Sequence, residues 1–549
     1  MDKMNEQHTK IFLRVLFLAW IIVAGLLYIH ATNFTVNQSK PIQSSEEKIH
    51  LIHADNLQFD KISNPDAQCL SGDVEFLHKG LKMYCDSAVL YTSTNSFQAF
   101  GNIRMEQGDS LSLVGEYLFY NGITQIAEIR NNVEMRHRES ILLTDSLNYD
   151  RLDSKGYFFE GGILIDGENT LTADWGEYYT STRKSSFNYD VKLENPQYTL
   201  TSDTLHYDLS TKWSEVCGPS RIISGSSLIY TEKGYYNTSS QKAKLFNRPE
   251  YYNQGKKMVG DSVYYDKIAG VTTAYNNIIY EDTISKHILI GDYCYYNELT
   301  GEAIVTKKAL VKDFSNKKDT LFVHADTLKL YTYNINTDSV YRTLHGYFHV
   351  RAYRKDIQAV CDSLAFNTKS NKMAMYKDPI VWSGPRQILG EEINIFLNDS
   401  TIDSIYVERQ ALLVEQLDSL HYNQISGQEM HSYYKDGKMK ENQVIGNVQI
   451  IFYPLEKDST ILYQNYTETS RMNMFMRNNK LHKIWVPASQ GYFYPIGTAP
   501  KERTMLKNFA WFDYIRPLDK NDLFLWRKKE SGTELKTTIR KKSPLQILK

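Results

Sequence analysis

The chain has 549 residues, with 63 Lys and Arg against 64 Asp and Glu and a formal charge of −1. That balance leaves no basic footprint for nucleic acid, and the length is ample for a large buried core. Tyr alone contributes 40 residues and aromatic side chains 13%, with only 13 Pro, a composition that favours strands over helices.

Lys3, Lys10 and Arg14 lead into an apolar run over 15–29. The run has the length of a signal-peptide core, and extended back to Ile11 it reaches that of a short membrane span. Residues 1–30 are therefore expected to export the chain, as a cleaved leader or a retained N-terminal anchor, with a polar linker over 31–50.

From 51 to 500 the sequence repeats. "ADNLQFD" (54–60), "CDSAVLY" (85–91), "TDSLNYD" (144–150), "SDTLHYD" (202–208), "GDSVYYD" (260–266), "ADTLKLY" (325–331) and "CDSLAFN" (361–367) share one pattern. Its acidic positions Asp55, Asp86, Glu116, Asp145, Asp174 and Asp203 follow one another at 29–31 residues. A second mark runs in phase: "SGDVEF" from Ser71, "FGNIRM" from Phe100, "RNNVEM" from Arg130, "EGGILI" from Glu160, "NYDVKL" from Asn188, "YNNIIY" from Tyr275 and "IGNVQI" from Ile445. Two marks at one period near thirty indicate about fourteen stacked units.

Inside each unit the local period is 2, so each unit reads as two strands with one apolar and one polar face. Leu147 and Tyr149, Leu205 and Tyr207, Val263 and Tyr265, Leu328 and Leu330, and Leu364 and Phe366 form one apolar row. Val133 and Val191 continue it on the second strand, while Asn148 and His206 mark outer faces expected to be polar. The histidines, including His324, His345 and His349, are expected at such outward positions. The acidic residue of each unit is expected to cap backbone N–H groups at a strand start. The residue before it is small, which makes Cys85 and Cys361 fillers of a tight site. Cys69, Cys217 and Cys294 lack metal-ligand spacing, so no metal or other cofactor is expected.

Gly108-Asp109-Ser110-Leu111 spells the nucleophile block of the GDSL esterases, and Asp418 and His421 in "DSLH" match that family's acid and base. "DTLH" at 203–206 matches equally well, and an active-site block occurs once rather than as a beat. Nucleophilic catalysis needs an oriented base and an oxyanion hole, which those esterases build on an α/β scaffold. No enzyme is expected, and an esterase acting through Ser110 is the minor alternative.

A two-strand unit carrying "SGDVEF", "FGNIRM", "EGGILI" and "IGNVQI" behind an export signal resembles the OstA-like proteins, among them the lipopolysaccharide-transport protein A family. The closing block over 463–495, followed by "NFAWFDYIRP" (508–517), is similar to the end of long OstA-like proteins. The resemblance implies an all-β, V-shaped, open β-jelly roll whose apolar interior cradles lipopolysaccharide acyl chains in the periplasm. It implies lipopolysaccharide or a related lipid as ligand, inner- and outer-membrane transport components as partners, and end-to-end self-association. The twelve row residues named above would line that groove. The chain departs from the family's outer-membrane member in having no membrane-barrel pattern after 500, where a capping segment and basic tail (501–549) are expected. The same alternation also fits a closed β-solenoid whose Leu and Tyr fill the core of a scaffold. Many inward Tyr rings favour the open form.

Overall fold

The computed structural model describes residues 48–531, 533 and 535, apart from 61, 63–64, 285, 316–318, 336, 399–400, 437, 457 and 478–479. The expected leader or anchor lies outside the described residues, and among those described no helix is long and apolar enough to cross a membrane. The described chain is antiparallel strands joined by tight turns, with short 3-10 turns at Lys501–Arg503, Asp513–Ile515 and Asp522–Phe524. This is the all-β, repetitive architecture that the alternation implies, in the antiparallel strand order that the resemblance to a β-jelly roll leads one to expect. Contacts divide it into two units. One runs to Gly108 and includes Phe119–Gln125, and the other holds Asp109–Leu118 and everything from Ile126 onward.

The two sequence marks are the two halves of one corner. In the first unit, strand Ala67–His78 pairs with Leu81–Tyr91 along its whole length, but the register slips between Ser71 and Val74. There Gly72 and Asp73 both take positive φ, 80° and 43°, a two-residue bulge that bends the strand. Gly101 and Asn102 repeat the device at 76° and 45°. A Cβ on Gly101 would lie 2.4 Å from Asp86 Oδ2, so glycine is required both for its φ and for the carboxylate's approach. The same carboxylate accepts a 2.9 Å hydrogen bond from Asn102 Nδ2. Asn tolerates the left-handed region because its short amide bonds locally.

The second unit repeats the corner at Asn131–Asn132, Tyr189–Asp190, Asn276–Asn277, Phe348–His349, Arg409–Gln410 and Gly446–Asn447. Glu116 accepts from Asn132 Nδ2 at 2.6 Å, Asp261 from Asn277 Nδ2 at 2.9 Å, and Asp326 bonds His349 at 2.7 Å. The repeated acid falls just before a strand start in some units (Asp55, Asp174, Asp261, Asp326) and in mid-strand in others (Asp86, Glu116, Asp145, Asp203). At Asp86, Glu116, Asp261 and Asp326 its carboxylate holds the bulge of the next strand. The small residue before it points into the apex: a Cβ on Gly291 would meet Val305 Cγ1 at 2.4 Å.

Because each strand bends at its corner, its halves belong to two walls. In the second unit, wall I holds 126–130, 147–150, 175–179, 184–188 and 204–208, with their successors. Wall II holds 133–144, 162–173 and 191–202, with theirs. The inner row changes phase at the bend: in Tyr198–Asp208 the buried positions are 198, 200 and 202, then 205 and 207.

Two outer-face expectations fail. The outer side of wall I carries an aromatic ladder, Tyr235–Phe246–Tyr264–Tyr275–Tyr293, with ring centroids 5.5–6.2 Å apart and edge-to-face geometry. The outer side of wall II, from 351 to 466, is covered by the chain's own segment 503–527. Val360, Ile380, Trp382, Leu412 and Val414 are buried there against Leu506, Phe512 and Ile515. The segment is held along its backbone by amides of successive strands. Gln387 donates to Ala510 O and accepts from Phe512 N, both at 2.8 Å, and Gln424 accepts from Leu506 N at 2.9 Å. Gln358 accepts from Arg516 Nε at 2.8 Å. This strap also buries His324, whose ring meets Phe524 at 4.8 Å, and Arg351, which reaches Asp522 at 3.2 Å. His345 does face outward, but it lies buried between Tyr331 and Tyr347. The polar-outward reading thus fails for His324 and His345, because an outward position need not be a wet one.

Candidate functional site

The interior between the two walls of the second unit is the candidate site, and it has two regimes. Over 126–250 it is packed shut. Val133, Leu147, Tyr149, Val191, Leu205 and Tyr207 are all buried, at 0–1% exposure. Phe158 and Phe187 fill the space between them with ring centroids 6.3 Å apart. The inward rings therefore stack in a closed interior, contrary to the expectation that they favour an open one.

The mouth of this stretch, where the wall ends face each other, is bridged by polar groups. His137 at the free end of wall II and the Tyr178 hydroxyl at the free end of wall I are 2.6 Å apart. One rung on, Tyr207 donates to Asp166 Oδ2 at 2.7 Å, and Lys212 reaches the same oxygen at 2.6 Å. Asn169 supports the pair from wall II, its Nδ2 lying 3.4 Å from the Tyr207 oxygen. Tyr198 and Tyr236 then meet edge to face at 4.8 Å. Burial lowers the His137 pKa, with Arg138 and Arg183 adding to the effect, and burial raises that of Tyr207. Both groups are therefore held neutral, as hydrogen-bonding closures should be. The first unit has a bridge of its own kind: His78 Nδ1 and Tyr120 OH are 2.7 Å apart.

Over 310–402 the interior differs. Wall II contributes Leu321, Val323, Val350, Ala352, Ile357 and Ala359, and wall I contributes Leu364, Met373, Met375, Ile395, Leu397 and Ile402. Between them lies an apolar cleft of about 90 Å³. Its rim carries Asp313, Ser315, Asp319 and Arg354. Three of these polar groups bond along wall II: Asp319 accepts from Lys355 N at 3.0 Å, Arg354 pairs with Asp356 at 2.6 Å, and Asp313 accepts from Ser315 N at 2.8 Å. Two Met side chains, unbranched and polarisable, give this floor the adaptability that a variable apolar ligand needs.

Of the twelve residues expected to line a groove, Leu364 borders this cleft. Val263 and Leu328 are buried on the same inner row, and Tyr265, Leu330 and Phe366 are half-buried. The remaining six lie in the packed stretch. The sequence reading missed wall II's share, from Leu321 to Ala359. Its signal was present as alternation in "TLFVHAD" (320–326) and "HVRAYRKDIQAV" (349–360).

Ser110 lies in the turn before strand Leu111–Asn121, its carbonyl accepting from Arg138 N at 3.0 Å. His421 pairs with Asp418 at 2.8 Å inside their own turn, which holds the Asp418 carboxyl down at about 2. Among the described residues no hydrogen bond joins Ser110 to that pair. The "DSL" of 145–147 belongs to a corner and that of 109–111 to a hairpin turn, so the shared letters mark different structures. Burial pushes the Cys85 and Cys294 thiols up to about 12, leaving both un-ionised. Among the described residues no group of three His, Cys, Asp or Glu is placed to hold a metal ion.

Residues 46–203 match the family model described as OstA-like protein. Among solved structures, the chain is similar to LptH of Pseudomonas aeruginosa, described as the LptA-homologous periplasmic component of the lipopolysaccharide transport device. The likeness has 12% identity and a TM-score of 0.11, and it covers 32% of this chain and 94% of that one. No curated protein matches the chain.

Proposed function

We propose that this protein is a non-catalytic carrier of an acylated lipid, lipopolysaccharide or a relative, acting in the periplasm during outer-membrane assembly. The observation that carries the reading is the cleft over 310–402, where Leu321, Val323, Val350 and Ala352 of wall II face Leu364, Met373, Met375 and Ile395 of wall I across an apolar space. The OstA-like match over 46–203 agrees with it. Acyl chains would part the walls and replace wall-to-wall contact with chain-to-wall contact, at about 25 cal/mol for each Å² of apolar surface kept from water. No bond is made or broken in such transfer, so no catalytic residue or cofactor is called for. Inner- and outer-membrane transport components would supply and receive the lipid, and copies stacked end to end would extend its path. The export segment over 1–30 would deliver the chain there, as leader or anchor.

The packed stretch over 126–250 favours a second role for that part alone, a closed β-solenoid spacer that carries the cleft. In-cell photo-crosslinking separates the two readings. Probes at Phe366, Leu397 and Ala359 are expected to give lipopolysaccharide adducts, while probes at the outward Asn148 and His206 give none. Adducts at none of these positions, in protein that still folds, would leave only the scaffold.

A further inference from the structure

A second cavity lies on the reverse of the cleft's wall. In Leu310–Asp313 and Leu321–His324 alternate residues face opposite ways: Leu321 and Val323 line the inner cleft, whereas Leu310, Lys312 and Phe322 face out. Outside, they border a solvent-open cavity of about 560 Å³, inside the range that small ligands occupy. Ile288 and Glu281 form its far side, and the strap supplies Lys520, Asn521 and Phe524.

The strap's contribution is firmly set. Asp519 Oδ1 accepts from Asn521 N at 2.7 Å and from Asp522 N at 3.0 Å, which fixes the turn bearing Lys520. Asp522 is held by buried Arg351 at 3.2 Å and by Arg527 at 2.7 Å, and Phe524 rests on His324. The cavity thus has an apolar floor of Ile288, Leu310, Phe322 and Phe524. One lysine comes from the wall and one from the strap, against the single carboxylate of Glu281.

The geometry points to a binding site for a single-chain anionic amphiphile, with its tail on Phe322 and Phe524 and its carboxylate or phosphate between Lys312 and Lys520. The site is separate from the inner cleft, being on the other face of the same strands, and does not depend on what the cleft carries. A ligand here would touch wall and strap together, and so tie the strap's end to the wall that lines the cleft.

The test is calorimetric titration of the full chain with dodecanoate, dodecyl phosphate and dodecyltrimethylammonium, each below its micelle concentration. Variants K312E and K520E alter the proposed site, and A359W plugs the inner cleft. Lys520 is exposed and Lys312 half-buried, and circular dichroism checks that both variants fold. The expected result is saturable binding of an anionic probe that weakens about tenfold or more in K312E and in K520E and persists in A359W. A preference for dodecanoate or for dodecyl phosphate supports the site and names its headgroup. Equal binding of the cationic probe, no effect of either lysine variant, loss of binding in A359W alone, or no binding at all would each overturn the proposal.

Discussion

In the rungs between 133 and 245, the inner rows end at the mouth in groups that can hydrogen-bond: His137, Asp166, Tyr178 and Tyr207. In the rungs between 313 and 402 they end in the apolar Leu321, Ile357, Leu397 and Ile402 and in the polar Asp313 and Arg354, which bond to Ser315 N and to Asp356 on their own wall. The corner is the same in both stretches, with a left-handed pair at Asn131–Asn132 and another at Phe348–His349. The repeat therefore sets how strands bend and stack, and in the first stretch residues close to the hairpins join the walls, His137 to Tyr178 and Asp166 to Tyr207 and Lys212. The two stretches are also braced differently: the first by bridges across its mouth, the second by the strap behind wall II.

The largest expected effect tests the packing contrast. Leu205 is fully buried in the packed stretch, and Leu205→Ala should cost about 2–5 kcal/mol in chemical denaturation. Leu397 lines the cleft half-buried, so Leu397→Ala should cost less than about 1.5 kcal/mol. Equal losses would mean that the cleft is packed like the stretch before it.

Bracing comes next. Asp166→Ala leaves the Tyr207 hydroxyl and the Lys212 ammonium without their shared acceptor and should cost about 1–3 kcal/mol. Gln387→Ala removes both bonds that hold the strap at Ala510 and Phe512, with a similar expected loss of about 1–3 kcal/mol. The two should differ in place. Hydrogen exchange should rise around 162–212 in the first variant and around 380–389 and 506–516 in the second. Exchange spread over the whole second unit in either variant would show that the two braces act as one.

The repeat, the all-β class and the inward rows were legible because period-2 alternation and a thirty-residue beat survive in the letters. Even the corner was visible as a Gly-Asn-like mark, although its partnership with the acid sixteen residues back (Asn102 with Asp86, Asn277 with Asp261) required the register. What the letters hid was long-range. Tyr149 and Phe366 occupy the same place in their units, yet one is buried in a closed interior and the other half-buried in an open one. The difference lies in wall II residues on other strands. Nor does the polar look of Gln358, Gln387 and Gln424 reveal that they grip a strap more than eighty residues further along the chain.

The smallest effect concerns pH and the closed mouth. His137 is held below its ordinary pKa of 6.5, chiefly by burial and then by Arg138 and Arg183. The folded state therefore binds fewer protons there than the unfolded chain does. Its contribution to stability is complete above about 6.5 and is lost as pH falls from that value through the lowered one. His324 and His345 are lowered in the same direction, again chiefly by burial, and add to the slope. Thermal unfolding should thus show a midpoint that falls between pH 7.5 and 5, and His137→Gln should flatten that fall in part while leaving the His324 and His345 share. An unchanged slope in His137→Gln would mean that the imidazole gains a proton without cost, and hence that the mouth of the closed stretch is already open to water.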